Sequence, residues 1–412
     1  MNRTMLKKYA KLAVRKGVNV QKNQVVLLYA PVEQQAFAVL IADECYKAGA
    51  RLVQMEWMCQ DFDRVSFKKG KEKSLSEVLA WQEKKSEWMT QELPCRIFIT
   101  SEDPEGLRGV NPEKLRRITV ARQTVLKKYR DAIENHHTWT IIAAPSEAWA
   151  VKVFPNCRKS EAVRRLWDAI MTCVRITPDN DPEVAWDEHN RTFEQRCRKL
   201  TDYAFDYLHY ESKNGTDLKV WLIPDSCWMG GGERTIEGQY YNPNMPTEEI
   251  FTSPMAGRAE GIVKSTLPLS HNGMLIEDFS ITFANGKAVS WDAASGKDAL
   301  TKIIETDEGS AMLGELALVP FDSPINNTGI LYFNTLFDEN ARCHLALGSG
   351  FPNVLKDFET MTPEEWKANG LNDSFSHVDF MIGSEDMNIT GYTRDGRAVR
   401  IFENGNWAEE FK

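Results

Sequence analysis

The chain has 412 residues, of which 42% are hydrophobic and 26% are charged, and its formal net charge is −9. This composition predicts a globular protein of about two domains, and the acidic balance argues against a nucleic-acid-binding protein. The sequence contains no run of the roughly 18 apolar residues that a membrane span needs, and its start lacks the apolar stretch of a signal peptide. Eight cysteines without any Cys-x-x-Cys spacing indicate reduced thiols, so we expect a cytoplasmic protein with no membrane partner.

The first part of the chain alternates short apolar runs with helical patterns, which predicts a parallel sheet with crossover helices. Strands are predicted at 25–29, 51–57, 95–100 and 139–144, and helices at 35–48, 71–91 and 112–134. No Gly-x-Gly-x-x-Gly follows any of these strands, so we expect no nucleotide site among them. Residues 1–185 are therefore predicted to form an α/β domain with a mostly parallel sheet, serving as a scaffold that carries oligomer contacts.

The second part begins with an amphipathic helix predicted from about 186 to 212, and short strands broken by glycine turns follow it. Turns are predicted at 257–261, 270–273 and 284–286, and further helices at 297–304 and 338–345. Asn285-Gly286 between apolar runs is a hairpin signal. Residues 186–412 are predicted to form an α+β catalytic domain with a curved, mainly antiparallel sheet.

Five potential metal ligands occur in this second part, at Glu249, Glu315, His344, His377 and Asp379. Carboxylates and imidazoles in this mixture suit Zn²⁺, Co²⁺ or Mn²⁺. Five ligands exceed the three that a catalytic zinc takes while keeping a position open, but they suffice for two ions that share a carboxylate and a water. Two-metal sites hydrolyse peptides and phosphate esters, so the residues point to a hydrolase.

Each of these residues alone is more often structural than functional, and local context raises the odds for some of them. His377 and Asp379 are two residues apart, so on a strand both side chains face the same way. A carboxylate beside the apolar run 380–382 is costly unless it is paired or bound to metal. Glu248 and Glu249 face opposite ways on a strand, so only one of them is expected to enter a site.

Several strings in the second part together resemble the M29 family of metallo-aminopeptidases, the group of aminopeptidase T, aminopeptidase S and PepS. The strings are Gly-Thr-Asp-Leu at 215–218, Asn-Met-Pro-Thr-Glu-Glu-Ile-Phe-Thr at 244–252, the segment from Thr306 to Glu315, Asn-Thr-Leu-Phe-Asp-Glu-Asn-Ala at 334–341 and His-Val-Asp-Phe-Met-Ile-Gly-Ser at 377–384. The resemblance implies a cytosolic, homodimeric exopeptidase that removes N-terminal residues from short peptides. It also implies two divalent ions (Zn²⁺, Co²⁺, Mn²⁺ or Mg²⁺) held by the five ligands above, with Glu249 in preference to Glu248.

The mechanism implied by the resemblance uses a water activated by the two ions, with Glu249 or Glu315 as proton shuttle. The family carries a catalytic tyrosine seven residues after the histidine at 344, where this chain has Phe351. Loss of one oxyanion donor costs ~10²–10³ in rate, and Ser349 is a candidate replacement. Two alternatives therefore stay open: a catalytically weakened relative that binds metal and peptide, and a metal-dependent hydrolase of another bond.

Overall fold

The structure, a computed structural model, describes residues 2–271 and 274–412, and the chain divides into two compact units. The first unit runs to Glu188 and includes residues 232–246, and the second comprises residues 189–231 and 247–412. Of the turn predicted at 270–273, Asn272 and Gly273 lie outside the described residues. Within the described ranges, no helix has the length and apolar character needed to cross a membrane.

The sheet of the first unit is formed by four parallel strands, β1 (Val25–Pro31), β2 (Leu52–Met58), β3 (Cys95–Thr100) and β4 (Trp139–Ala143). Their order across the sheet is β2-β1-β3-β4. Strand β1 lies inside the sheet and is buried almost throughout, because a parallel sheet is covered on both faces.

Helices of the first unit are α1 (Arg3–Leu12), α2 (Gln35–Ala48), α3 (Gln60–Lys69), α4 (Glu72–Ser76), α5 (Ala80–Glu92), α6 (Pro112–Ile133), α7 (Glu147–Val153) and α8 (Lys159–Cys173). Helix α2 ends at Gly49, whose φ of 103° suits a residue without a Cβ. The single helix predicted at 71–91 is wrong, because the backbone is extended at Glu77 and Leu79. Gln82 Oε1 accepts a hydrogen bond from the Leu79 backbone N–H at 3.0 Å and so starts α5 as a separate helix.

The helix predicted from 186 to 212 is wrong in its second half. Helix α9 (Pro182–Tyr203) ends at Tyr203 instead of continuing to 212, and Phe205–Glu211 forms strand β5. Leu208 and Tyr210 are both fully buried, as expected for residues two apart on the inner face of a strand.

A nine-stranded sheet of the second unit contains β5, β6 (Asp217–Leu222), β11 (Pro254–Lys264), β12 (Leu269–His271), β13 (Met274–Ala284), β14 (Lys287–Ser295), β18 (Asn388–Thr393), β19 (Ala398–Glu403) and β20 (Asn406–Trp407). Its pairings are antiparallel. The predicted hairpin between β13 and β14 is confirmed, since Asn285 and Gly286 have φ of 50° and 75° as a two-residue turn requires. The turn predicted at 257–261 is wrong, because these residues continue β11 through an irregular register.

A five-stranded antiparallel sheet of the same unit has the order β17-β16-β15-β10-β7. Its strands are β7 (Met229–Gly230), β10 (Ile250–Thr252), β15 (Leu313–Leu318), β16 (His344–Gly348) and β17 (His377–Met381). The remaining elements are α10 (Lys297–Ile304), α11 (Thr335–Asp338), α12 (Pro363–Ala368) and, in the first unit, the short pair β8 (Glu233–Arg234) and β9 (Tyr240–Tyr241). The predicted fold class is confirmed: a parallel α/β region is followed by a mainly antiparallel α+β region.

Candidate metal centre

The two faces of the five-stranded sheet differ in chemistry. One face packs into the main core of the second unit through Leu316 and Leu318 of β15, Leu345 and Leu347 of β16, and Val378 and Phe380 of β17. Side chains alternate between the faces of a strand, so the intervening residues lie on the other face. These are Glu315 and Ala317, His344 and Ala346, and His377 and Asp379. The alternation therefore collects the ionisable groups opposite the core.

The register of the three strands brings these groups close together. Ala346 on the middle strand lies opposite Glu315 on one side and opposite Asp379 on the other. Gly348 lies opposite His377. Because the middle strand contributes only a methyl group and a hydrogen at these positions, space is left above it for the longer side chains of its neighbours.

A bulge at Gly314 turns Glu315 towards the other ionisable groups. Leu313 pairs with Leu347 while Glu315 pairs with Ala346, so the register shifts by one residue between them. Without this shift Leu313 and Glu315 would share a face, whereas Leu313 is buried in the core. A Cβ at Gly314 would lie 2.2 Å from the Gly348 carbonyl oxygen, so the bulge needs glycine here.

Glu315 belongs to two groups of ligand atoms. Atoms of Glu249, Glu315 and His344 lie within 4.8 Å of one another, and so do atoms of Glu315, His377 and Asp379. In the first group, His344 Nε2 lies 3.2 Å from Glu249 Oε2. The structure thus brings together all five residues predicted from the sequence, with Glu315 common to both groups.

His377 is oriented by a backbone carbonyl. Its Nδ1 donates to the carbonyl oxygen of Ser349 at 2.8 Å, which directs Nε2 to the carboxylates. Nε2 lies 3.1 Å from Glu315 Oε2 and 3.1 Å from Asp379 Oδ1. A histidine whose second nitrogen is fixed by a carbonyl is the usual arrangement of a metal ligand.

Both imidazoles are held in the protonated form by the surrounding carboxylates. Burial lowers the pKa of His344, but the hydrogen bond to Glu249 and the charges of Glu249, Glu315 and Asp379 together outweigh it and raise the pKa to about 10. Burial also opposes the charge of His377, and its bonds to Asp379 and Glu315 raise the pKa to about 11. A proton and a metal ion compete for the same nitrogen, so metal binding at this site would release these protons.

The pKa values of Glu315 and Asp379, the carboxyl groups of the second ligand group, are shifted in opposite directions although both groups are buried. Burial raises the pKa of Glu315 above its usual value in spite of the hydrogen bond from His377. Burial acts on Asp379 in the same direction, but the hydrogen bond and charge of His377, the charge of His344 and a hydrogen bond with Glu315 together outweigh it and lower the pKa of Asp379.

Glu339 is a further ionisable group of the site that the sequence analysis missed. Burial raises the pKa of its carboxyl well above its usual value, and the charges of Glu249 and Asp379 act in the same direction. Asn340 Nδ2 donates to Glu339 Oε1 at 3.3 Å, while Asn340 Oδ1 accepts from the Glu248 backbone N–H at 2.7 Å. The only signal in the sequence was that Glu339 lies within the family-like string at 334–341.

The donor set fits divalent cations. Four carboxyl groups and two imidazoles are buried together here, and burial raises the pKa of Glu315 and of Glu339, so these groups ionise fully only if a further cation is present. Buried carboxylates without compensating charge are costly, and a bound cation removes that cost. Oxygen and imidazole nitrogen together suit Zn²⁺, Co²⁺ and Mn²⁺.

The helix predicted at 338–345 is wrong, and His344 is the first residue of β16. Helix α11 ends at Asp338, and only the short 3₁₀ turn Glu339–Ala341 follows it. Cys343, Leu345 and Leu347 pack into the main core, and His344 and Ala346 alternate with them on the other face. This period of two is the pattern of a strand with one face in the core.

Phe351 lies beside the site. Its ring centroid is 5.0 Å from that of His377 and 5.3 Å from that of Phe251. The Phe351 backbone N–H donates to Ser253 Oγ at 2.8 Å and fixes the loop after β16. The Ser349 hydroxyl donates to the next residue's carbonyl at 3.3 Å, and its own carbonyl orients His377.

Comparisons with known proteins identify the family of this chain. The family model of the thermophilic metalloproteases (M29) matches residues 2–407. Aminopeptidase AmpS of Bacillus subtilis is 40% identical over 404 residues, covering 98% of each chain. Aminopeptidase PepS of Streptococcus thermophilus is 41% identical over 404 residues, covering 98% of this chain and 97% of the relative.

A solved structure gives the same result for the fold. Wild-type AmpT from Thermus thermophilus superposes with a TM-score of 0.91 at 37% sequence identity, covering 98% of this chain and 99% of that one. The family resemblance inferred from the sequence strings is thereby confirmed. From its sequence over nearly the whole length and from its fold, the chain belongs to the M29 family of thermophilic metalloproteases.

Proposed function

We propose that this metallo-aminopeptidase of the M29 family works with two divalent ions that share Glu315, and that it removes N-terminal residues from short peptides. The observation that carries the proposal is the pair of ligand groups that have Glu315 in common. Glu249 and His344 would hold one ion, and His377 and Asp379 the other. Glu249 is preferred to Glu248 because its carboxylate lies 3.2 Å from His344 Nε2.

When bound, such ions polarise the scissile carbonyl and lower the pKa of a water towards ~7. The chain's own residues would position the reactants and move protons. The five ligands form two groups joined at Glu315, and the Ser349 carbonyl fixes the orientation of the His377 ring. A carboxylate of the site could hold the free amine of a peptide by a charge-assisted hydrogen bond, which supports action at N-termini.

A carboxylate near the reacting water would accept its proton. The sequence suggested Glu249 for this role, and Glu249 stays a candidate. Glu339 is the stronger one, because it belongs to neither ligand group and its carboxyl is buried among those of the site. A carboxylate without a metal keeps its lone pairs available for a proton, whereas a ligand does not.

We also propose a cytoplasmic homodimer in which residues 186–412 form the metal-binding catalytic domain and residues 1–185 the scaffold with the oligomer contacts. All eight cysteines are free thiols, which supports a reducing compartment. The dimer rests on the resemblance to the family alone, and sedimentation of the purified chain would test it.

A catalytically weakened relative that binds metal and peptide is the second candidate, and Phe351 favours it. The ring lies 5.0 Å from His377, beside the proposed metal site, but has no hydroxyl to offer a developing oxyanion. Metal and peptide would still bind in this case, while turnover would be low.

The test is release of amino acids from dipeptides and from N-acetylated controls, with Co²⁺, Zn²⁺, Mn²⁺, Mg²⁺ or EDTA present. Metal-dependent release from free but not acetylated N-termini is expected. Binding of two ions per chain without release would favour the weakened relative. Release from acetylated peptides, or cleavage of a phosphoester control in place of peptides, would contradict aminopeptidase function.

A further inference from the structure

A cavity of about 170 Å³ opens beside β17, next to the proposed metal centre. His377 and Asp379 form one wall, Leu269 and Leu275 of strands β12 and β13 a second, and Leu331 and Phe333 a third. The wall at β17 is therefore shared between the cavity and the second ligand group.

We propose that this cavity receives the side chain of the substrate's N-terminal residue and selects uncharged side chains of leucine to phenylalanine size. The inference rests on the proposed function. The amine and the carbonyl carbon of that residue both flank its Cα, so binding them at the metal centre leaves the side chain within reach of an adjoining cavity. His377 and Asp379 belong both to the proposed metal centre and to the lining of the cavity, so the cavity adjoins the reacting atoms.

The size of the cavity sets an upper limit on the side chain. An apolar protein cavity of ~150 Å³ is large enough to bind benzene. A cavity of about 170 Å³ would therefore hold the ring of phenylalanine or the branched end of leucine, and the larger indole of tryptophan would fit poorly. Glycine and alanine would leave most of this volume unfilled.

The charges around the cavity exclude acidic side chains. Among the described residues that line it there is no lysine or arginine, whereas Asp338 and Asp379 contribute carboxylates. His271, also in the lining, has its pKa lowered by burial and is neutral at pH 7. A glutamate or aspartate at the peptide N-terminus would thus find only the His377 imidazole as a cationic partner, and that group is already paired with Glu315 and Asp379.

Basic side chains would gain little binding free energy, because the carboxylates of Asp338 and Asp379 already have hydrogen-bond partners. Asp338 accepts backbone hydrogen bonds from Tyr332 at 2.8 Å and from Asn334 at 3.0 Å, and Asp379 lies 3.1 Å from His377. An apolar side chain needs no partner in this cavity, which leaves uncharged residues as the preferred class.

The third wall is held in place before any substrate arrives. The two hydrogen bonds to Asp338 close the loop around Phe333, whose φ of 53° is rare for a residue with a large side chain. A strained residue persists only where its surroundings fix it, so this wall is pre-shaped. A rigid wall can discriminate by size because it does not yield to a larger group.

The test compares kcat/KM of the metal-loaded chain for dipeptides that differ only in the first residue, namely Phe, Leu, Trp, Ala, Gly and Glu. Leu331→Trp should fill the cavity and lower the Phe-to-Ala ratio of kcat/KM by about tenfold or more. Leu331→Ala should widen the cavity and raise kcat/KM for the Trp dipeptide relative to the Phe dipeptide. Val289→Trp adds the same ring at an exposed position of β14 and should leave the ratios unchanged.

Calorimetric binding of the free products phenylalanine and glycine gives a readout that does not depend on turnover. Phenylalanine should bind more tightly than glycine, and Leu331→Trp should weaken the binding of phenylalanine but not that of glycine. Metal-dependent peptide hydrolysis with Phe-to-Ala ratios unmoved in both Leu331 variants would overturn the cavity assignment and leave the proposed function standing. Absence of hydrolysis, with selective phenylalanine binding that is lost in Leu331→Trp, would overturn the proposed function and support the cavity.

Discussion

Buried histidines occur in both units, and their surroundings hold them in opposite protonation states. In the first unit His137 is 5% exposed, and burial together with the nearby charge of Arg96 lowers its pKa to about 4. In the second unit His344 is 1% exposed, yet its pKa is raised to about 10. Burial of the imidazole is similar in the two places, so the neighbouring charges decide its state.

The hydrogen bonds of His137 require the neutral ring. Arg96 Nε donates to His137 Nε2 at 2.8 Å, and His137 Nδ1 donates to the Ile133 carbonyl at 2.8 Å. A second proton would remove the acceptor that faces Arg96. His344 and His377 instead face carboxylates, which makes a proton, or a metal ion in its place, part of a stable arrangement.

The largest effect is expected from removing a ligand of the proposed metal centre. His377→Ala should lower kcat/KM by more than the roughly 10–100-fold that loss of an outer-shell partner costs, and should reduce bound metal. His209→Ala is the control, since His209 lies away from the site. Its Nε2 is 2.7 Å from Asp217 Oδ1. Full activity with unchanged metal content in His377→Ala would sink the site assignment.

Replacing Glu339 separates proton transfer from metal binding. Glu339→Gln should lower kcat by ~10²–10⁴ while both ions stay bound, as expected for loss of a general base. The metal-free variant should also unfold at a higher temperature than the metal-free parent, because one of four crowded carboxylates is gone. Loss of metal along with activity would assign Glu339 as a ligand, and unchanged kcat would remove it from the mechanism.

Placing a hydroxyl at position 351, where the resemblance implies a tyrosine, tests whether its absence limits turnover. Phe351→Tyr should raise kcat by about 10-fold or more, up to the ~10²–10³ that one oxyanion donor is worth. Phe251→Tyr places a hydroxyl on the neighbouring ring, 5.3 Å away, and controls for polarity alone. An unchanged kcat in Phe351→Tyr would mean that other groups of this chain already fill the role.

The smallest effect concerns stability in the first unit. The pKa of His137 is lower in the folded chain, about 4, than its ordinary value of 6.5, so the unfolded chain takes up the proton first as the pH falls. His137 should therefore reduce the free energy of unfolding between these pH values by up to roughly 3 kcal/mol, at about 1.4 kcal/mol per pH unit.

Urea denaturation across this pH range measures the effect. His137→Gln should flatten the decline, whereas His136→Gln, at the exposed neighbour paired with Glu237, should not. Identical pH slopes in His137→Gln and the parent would show that the neutral ring has no part in acid sensitivity.

The sequence predicted those features that depend on local periodicity or on long family strings. Strands 95–100 and 139–144 and helix 35–48 follow from runs of apolar residues and a terminal glycine. The helical pattern at 338–345 misled because three residues of 3₁₀ turn separate α11 from β16. Glu339 was missed for a physical reason: nothing in Asp-Glu-Asn-Ala reveals that the glutamate is buried beside three other carboxylates.

The central claim is that two divalent ions share Glu315. The most direct test is equilibrium dialysis of the chelator-treated chain against Co²⁺ or Zn²⁺, with bound metal counted for the parent and for Glu315→Gln. We expect two ions per chain in the parent and fewer than one in Glu315→Gln, because both ligand groups contain this carboxylate. A single ion per chain in the parent, or two ions in both proteins, would contradict the claim.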